Sequence, residues 1–108
     1  MPEPGDEERI HAAIARVWES SRPIVLERVT VIEHAAAALA TGTIAPEQVE
    51  DARRAAHNLA GTLGTFGLDR GSALARDLEL RLGGTSSQLD ADDLVRLAAE
   101  LRATVNSA

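Results

Sequence analysis

The stretch Ala55–Gly71, AAHNLAGTLGTFGLDRG, holds one histidine and four glycines and has almost no charge. Gly61 and Gly64 fall inside an apolar pattern with helical spacing, where each interior glycine costs roughly 1 kcal/mol relative to alanine. Apolar residues recur there at alternating intervals of three and four, which predicts a helix that packs in a bundle. They are Val49, Ala52, Ala56, Leu59, Leu63 and Phe66. The two glycines weaken this helix, so they are expected to serve something other than helix formation.

Similar periodicity elsewhere in the chain predicts five helical segments. Their approximate bounds are Asp6–Ser20, Pro23–Thr41, Pro46–Phe66, Leu68–Leu82 and a fifth segment that follows Asp90. Pro23 and Pro46 are placed in first turns, where proline is tolerated. Gly42 and Gly67 end the helices that precede them, Gly67 as a left-handed stop, and Asp90 is a good N-cap.

Because the connections are short, neighbouring helices are expected to be antiparallel. The predicted fold is all-α, an up-down antiparallel four-helix bundle with an additional N-terminal helix. The Pro23–Thr41 segment has two apolar stripes, so one is expected to join the bundle and the other to be covered by the first segment. Residues 1–108 are predicted to form a single domain, with residues 1–5 disordered.

Composition narrows the range of functions. The chain has 17 acidic residues and 11 arginines, no lysine, and a net charge of −6, which disfavours nucleic acid and anionic membranes as partners. It has no cysteine and no apolar run of membrane-spanning length, and its N-terminus is acidic rather than signal-like. We therefore expect a cytoplasmic protein. The sequence leaves the oligomeric state open, with a monomer as the default.

The three histidines do not form a metal site. His11, His34 and His57 lie 23 residues apart, so no two of them share a helix face as an i, i+4 metal pair does. His11 and His34 have no glycine one turn away and are interpreted as ordinary surface residues. No metal ligand is predicted.

His57 differs from the other two in its surroundings. With Ala56 placed at zero on a helical wheel, the apolar stripe centres near −30°, and His57, Gly61 and Gly64 fall at roughly 100°, 140° and 80°. These three residues are predicted to share one solvent-facing patch. Glycines there let another molecule approach the backbone beside the imidazole. The pattern therefore predicts a surface for a partner, with the histidine at its edge.

The residues around His57 do not indicate a self-contained enzyme. Its predicted neighbours on the helix surface, besides the glycines, are Glu50, Arg53, Arg54 and Ala60. They include no nucleophile beside a base, and no loop of the P-loop type occurs. A single neutral imidazole can still act as a nucleophile and carry a phosphoryl group as a phosphoramidate.

At these residues the sequence resembles the histidine-containing phosphotransfer (HPt) family of two-component phosphorelays. The resemblance lies in AHNLAGTLGTFGLDRGSALARDLE, where a histidine is followed by a glycine four residues on, a second glycine ten residues on, and a leucine-bearing helix that ends in an acid. The matching positions are His57, Gly61, Gly67, Leu68, Leu74, Leu78 and Glu79. The resemblance implies that His57 is the phosphoacceptor, with Gly67 part of the structural motif.

The resemblance also implies which partners the chain has and that it needs no cofactor of its own. They would be receiver domains of response regulators and a sensor or hybrid histidine kinase, with the aspartate and Mg²⁺ supplied by the receiver and no cofactor on this chain. Gly61 would clear space for the phosphoryl group and the receiver, and Gly64 belongs to the same docking face.

One position departs from the family pattern. Many family members have a lysine three residues after the histidine, where a cation can steady the phosphoryl group, and this chain has Ala60 there. Arg53 or Arg54 is proposed to substitute, because guanidinium groups suit phosphate. Ala60 is counted with the docking residues.

Two other functions remain open from the sequence. A phosphorylation-silent docking module would use the same glycine-lined face without carrying phosphate, and Ala60 keeps this alternative open. A plain helical bundle that self-associates would need a large continuous apolar surface. The pattern shows such a surface only on the Pro23–Thr41 segment, where the first segment is expected to cover it.

Overall fold

A computed structural model describes residues 4–84 and 89–108 of the chain. The helices are α1 (Pro4–Ala40), α2 (Pro46–Thr65), α3 (Asp69–Leu82) and α4 (Ala91–Asn106). Each helix packs against two others, in the pairs α1 with α2, α2 with α3, α3 with α4, and α4 with α1. The described residues contain no strand. The predicted all-α four-helix bundle is therefore confirmed.

The bundle is held together by aliphatic side chains from all four helices. The largest fully buried ones are Ile32, Leu59, Leu63, Leu78, Leu101, Val25, Val29 and Val105. Burying each such side chain stabilises the fold by about 1.5–3 kcal/mol. No polar or charged residue of the described ranges is buried. The core is thus built from hydrophobic residues, and any chemistry of charged or polar side chains belongs to the surface.

The predicted separation of two helices at Pro23 is wrong. Pro23 lies inside α1, a single helix of 37 residues, although an interior proline removes one backbone hydrogen bond and costs about 3 kcal/mol. Both flanks of Pro23 are fixed to the bundle. On the N-terminal side the Trp18 ring packs edge-on against Phe66 with centroids 5.2 Å apart, and on the other side Val25 is buried.

As a result, no additional N-terminal helix folds back over the rest of α1. A helix of this length spans about 54 Å, which accounts for the longest dimension of the molecule, 56 Å. No side chain from Gly5 to Val17 is buried. The N-terminal part of α1 therefore projects beyond the bundle, and the predicted packing of a first helix on a second does not occur.

The predicted helix ends are confirmed where the structure describes them. Gly67 has φ +75°, and the amide of Leu68 donates to the carbonyl of Leu63 at 2.9 Å, as in a left-handed helix stop. Gly42 ends α1 in the same way, with φ +70°. The Asp90 side chain accepts hydrogen bonds from the first turn of α4.

Two stretches of the chain lie partly or wholly outside the described residues. Of residues 1–5, which were expected to be disordered, Pro4 and Gly5 belong to the first turn of α1, and residues 1–3 lie outside the described residues. Residues 85–88, between α3 and α4, also lie outside them.

Candidate functional site

His57 projects from the middle of α2 into solvent. Its side chain is 67% exposed, whereas Ala56 and Leu59 on either side are buried in the core. The exposure predicted from the helical wheel is thus confirmed. His11 and His34 are exposed as well, so exposure alone does not set His57 apart.

A carboxylate from the neighbouring helix holds the imidazole of His57. Oε2 of Glu79 on α3 lies 2.6 Å from Nδ1 of His57, and the Glu79 side chain is only 21% exposed. An ionised carboxylate has no proton to donate, so Nδ1–H of His57 is the donor. In a neutral ring this leaves the lone pair on Nε2. The nitrogen with the free lone pair therefore faces away from Glu79.

Arg53 links this pair to a second carboxylate, that of Glu50. Nε and Nη2 of Arg53 donate to the two oxygens of Glu50 at 2.9 and 2.6 Å, and Nη1 of Arg53 lies 3.9 Å from Oε2 of Glu79. The hydrogen bond from Arg53 lowers the pKa of Glu50, and the same bond raises the pKa of Arg53. Arg53 thus lies on the Nδ1 side of the imidazole and is already paired.

Arg54 is held more loosely than Arg53. Its guanidinium contacts Glu50 at 3.7 Å and Asp51 at 4.0 Å, both longer than a hydrogen bond. The Arg54 side chain is exposed and lies one turn before His57. Of the two arginines proposed to replace the family lysine, Arg54 is the one free to reorient toward a bound anion.

The structure contradicts the placement of Ala60 on the docking face. Ala60 is 5% exposed, and its carbonyl oxygen accepts a hydrogen bond from the Ser72 hydroxyl of α3 at 2.7 Å. On the wheel Ala60 lies at roughly 40°, between the apolar stripe and the exposed patch. The close approach of α3 covers that sector, so Ala60 has almost no surface to offer a partner.

Gly61 and Gly64 are both exposed, but they differ in their surroundings. A Cβ added at Gly61 would meet nothing within 4 Å, whereas one at Gly64 would lie 3.3 Å from Oγ of Ser72. Gly64 therefore helps α3 approach α2, which is an internal packing role in addition to the predicted opening for a partner. At Gly61 no neighbouring helix requires the absence of a side chain.

The described residues offer no metal site and no membrane span. No group of three or more histidine, aspartate or glutamate side chains within residues 4–84 and 89–108 is arranged to hold a metal ion. Among the helices described, none combines the length and apolarity needed to cross a bilayer.

Sequence reasoning did not identify Glu79 as the partner of His57. The motif included Glu79 only as the acid near the end of the leucine-bearing helix. The signal available was its position, 22 residues after His57, on the helix that follows a tight stop. Because α3 returns antiparallel along α2, this separation brings the two side chains to the same level of the bundle.

Comparisons with known proteins agree with this architecture. The sequence model of the Hpt domain family matches residues 25–107. Protein RcaC of Microchaete diplosiphon is 35% identical over 82 residues, which make up 75% of this chain but 13% of that protein. The chain thus spans a small part of the length of this relative. No solved structure matches the present chain.

Proposed function

The chain belongs to the Hpt domain family, whose role is phosphotransfer in two-component phosphorelays, and on that premise we propose that His57 is its phosphoryl carrier. In this proposal His57 accepts a phosphoryl group from a phospho-aspartyl receiver or a kinase and passes it to the aspartate of a response-regulator receiver. The observation that carries the proposal is the 2.6 Å contact between Nδ1 of His57 and Oε2 of Glu79. It leaves Nε2 free on an exposed ring.

The transfer step follows from that arrangement. The Nε2 lone pair attacks the phosphorus of the aspartyl phosphate in line with the leaving oxygen. A nitrogen–phosphorus bond forms, the phosphorus–oxygen bond breaks, and the aspartate leaves as a free carboxylate. The proton on Nδ1 stays in place, so the phosphorylated ring gains positive charge that the carboxylate of Glu79 opposes. The reverse step regenerates neutral His57.

The arginines are assigned different roles. Arg53 is a positioning residue, because it contacts Glu79 and is itself fixed by two hydrogen bonds to Glu50. Arg54 is proposed to contact the phosphoryl oxygens, since its side chain is exposed and guanidinium groups bind phosphate well. Replacing Arg54 by alanine should slow transfer while leaving the ring orientation unchanged. Replacing Arg53 should disturb the orientation.

Gly61 is proposed to give the receiver access to the ring. It lies one turn after His57, and the space over its Cα is empty. Any side chain there would project into the region that the receiver loops and their Mg²⁺ must occupy. This assignment accounts for a helix-weakening residue at a position with no internal packing demand.

A transfer assay tests the proposal. The purified chain is mixed with a panel of phosphorylated receiver domains and Mg²⁺, and the label is followed by intact mass and by its stability in acid and alkali. An acid-labile, alkali-stable phosphoryl group is expected on the wild type and is expected to be absent from His57→Gln. His11→Gln and His34→Gln are matched controls and should be labelled normally.

The alternative of a phosphorylation-silent docking module has a distinct outcome in the same assay. That function predicts receiver binding without any transferred label, and equal binding by wild type and His57→Gln. The ordered Nδ1 contact favours the carrier function, because a silent docking face has no need to orient the imidazole.

A further inference from the structure

The N-terminal half of α1 is not accounted for by the proposed function. The family match begins at residue 25, whereas α1 begins at Pro4. The segment before residue 25 is continuous with the bundle, and the part of it before Trp18 projects past the bundle. It carries four large apolar side chains that are about half exposed, namely Ile10 at 57%, Ile14 at 48%, Val17 at 55% and Ile24 at 53%.

These four residues form one stripe along the helix. Their spacing is four, three and seven residues, with Ser21 filling the intervening position. On a helical wheel they fall within a sector of roughly 80°. This is the seam pattern with which a helix pairs with a second helix in a coiled coil. We refer to Ile10, Ile14, Val17 and Ile24 as the apolar stripe.

We propose that the apolar stripe pairs with the same stripe of a second copy of this chain, antiparallel and with the twofold axis at Val17. In a twofold interface a surface must be complementary to itself. Ile10 and Ile24 each lie seven residues from Val17. Ile10 of one copy therefore packs against Ile24 of the other copy, and the reverse contact occurs on the other side of the axis. The Val17 side chains of the two copies meet on the axis.

Charge supports this pairing and its antiparallel direction. Asp6 and Arg28 each lie eleven residues from Val17 and extend the stripe at its two ends. Asp6 contacts Arg9 at 3.2 Å, while no ion-pair partner of Arg28 occurs within the described parts of the chain. Antiparallel pairing places Arg28 of one copy beside Asp6 of the other. Parallel pairing would place like charges together at both ends.

Other occupants fit the stripe less well. The chain's own helices cannot cover it, because α1 runs straight through Pro23. An anionic membrane is disfavoured because Glu7 and Glu8 follow Asp6 in the projecting segment, whereas membrane-surface helices are rich in lysine and arginine. A receiver centred on His57 would leave the N-terminal end of the stripe uncovered, since Trp18 packs beside Phe66, about 14 Å along α2 from His57, and Ile10 lies about 12 Å further along α1.

Cysteine cross-linking tests the pairing in the full chain, which has no cysteine of its own. Under mild oxidation, Val17→Cys is expected to form a covalent dimer, because its two copies meet on the axis. Ile10→Cys alone should not cross-link, whereas a mixture of Ile10→Cys and Ile24→Cys should. Cross-linking by Ile10→Cys alone at the same rate would overturn the antiparallel arrangement, and no cross-linking by any of them would overturn the dimer.

Sedimentation of the uncross-linked protein gives an independent readout. Val17→Glu places two like charges on the axis and is expected to raise the dimer dissociation constant at least about tenfold. Val95→Glu on α4, another half-exposed valine, is the matched control and should not change it. A wild type that stays monomeric while Val17→Glu weakens receiver binding would assign the stripe to the receiver and overturn the proposal. Dimerisation is measured without phosphate, so it stands or falls separately from the carrier role of His57.

Discussion

At the scale of single residues, the chemistry of His57 depends on a side chain from another helix. Exposure makes the imidazole available, but Glu79 decides which ring nitrogen is free. Helical periodicity predicted the exposure of His57 because α2 alone determines it. It did not predict the contact with Glu79, which depends on how α3 is placed.

Removing the Glu79 carboxylate should slow phosphotransfer. In Glu79→Ala, Nδ1–H of His57 loses its acceptor, so the ring samples both tautomers and both orientations. The transfer rate is expected to fall roughly ten- to a hundredfold. Nitrogen NMR of His57 should report the tautomer change. Glu79→Gln still offers a carbonyl oxygen, so it should keep the tautomer and lose less activity; an Ala variant with wild-type tautomer and rate would contradict this role.

Substitutions at Gly61 and Gly64 should separate stability from function. Gly61→Ala adds a Cβ where nothing lies within 4 Å, so the free energy of unfolding should rise by about 0.5–1 kcal/mol. Transfer from a receiver should slow. Gly64→Ala should gain less stability, because its Cβ would press on Ser72. Denaturant unfolding and transfer rates check both; a Gly61→Ala variant that transfers at the wild-type rate would refute the access role.

Ala60 shows the limit of a helical wheel. The wheel places it between the buried stripe and the exposed patch, and periodicity of α2 cannot decide such a boundary position. The burial of Ala60 is determined by α3, whose Ser72 hydroxyl donates to the carbonyl of Ala60 at 2.7 Å. Boundary positions are therefore the ones for which a neighbouring helix must be known.

At the scale of secondary-structure elements, Pro23 is the main departure from the sequence prediction. A proline at that position is compatible with a helix start, and local rules favour that interpretation. Tertiary contacts override it, because Trp18 and Val25 on either side are both buried. By contrast, the stops at Gly42 and Gly67 and the cap at Asp90 were predictable, since each is determined by the local backbone.

Replacing Pro23 tests whether α1 is continuous. Pro23→Ala restores an amide that can donate to the carbonyl of Glu19, so the free energy of unfolding should rise by about 1–3 kcal/mol. If Pro23 instead started a separate helix, alanine would leave stability unchanged or lower it, because the amide would have no partner. Denaturant unfolding followed by circular dichroism distinguishes these results.

At the scale of the whole molecule, the chain consists of a bundle that matches the family and a helical extension that projects from it. The all-α class and the bundle were predictable because the apolar periodicity of α2, α3 and α4 continues over their full lengths. The projection of the extension was not predictable, because a helix that packs on its own chain and a helix that packs on another chain have the same apolar sequence pattern.

Truncations should separate the extension from the bundle. No side chain from Gly5 to Arg16 is buried, so deleting residues 1–16 should change the free energy of unfolding by less than about 1 kcal/mol. Transfer should continue at the wild-type rate. Deleting residues 1–24 also removes Trp18 and its contact with Phe66, so the free energy of unfolding should fall by about 3 kcal/mol. Equal stability of the two truncated proteins would show that Trp18 does not anchor α1.

The proposed carrier role of His57 is tested most directly by finding which ring nitrogen carries phosphate. We would phosphorylate the whole chain from an active receiver and determine the modified ring atom by phosphorus and nitrogen NMR. The contact between Nδ1 of His57 and Glu79 at 2.6 Å predicts phosphate on Nε2 of His57 and a retained proton on Nδ1. Phosphate on Nδ1, or on any residue other than His57, would contradict the account.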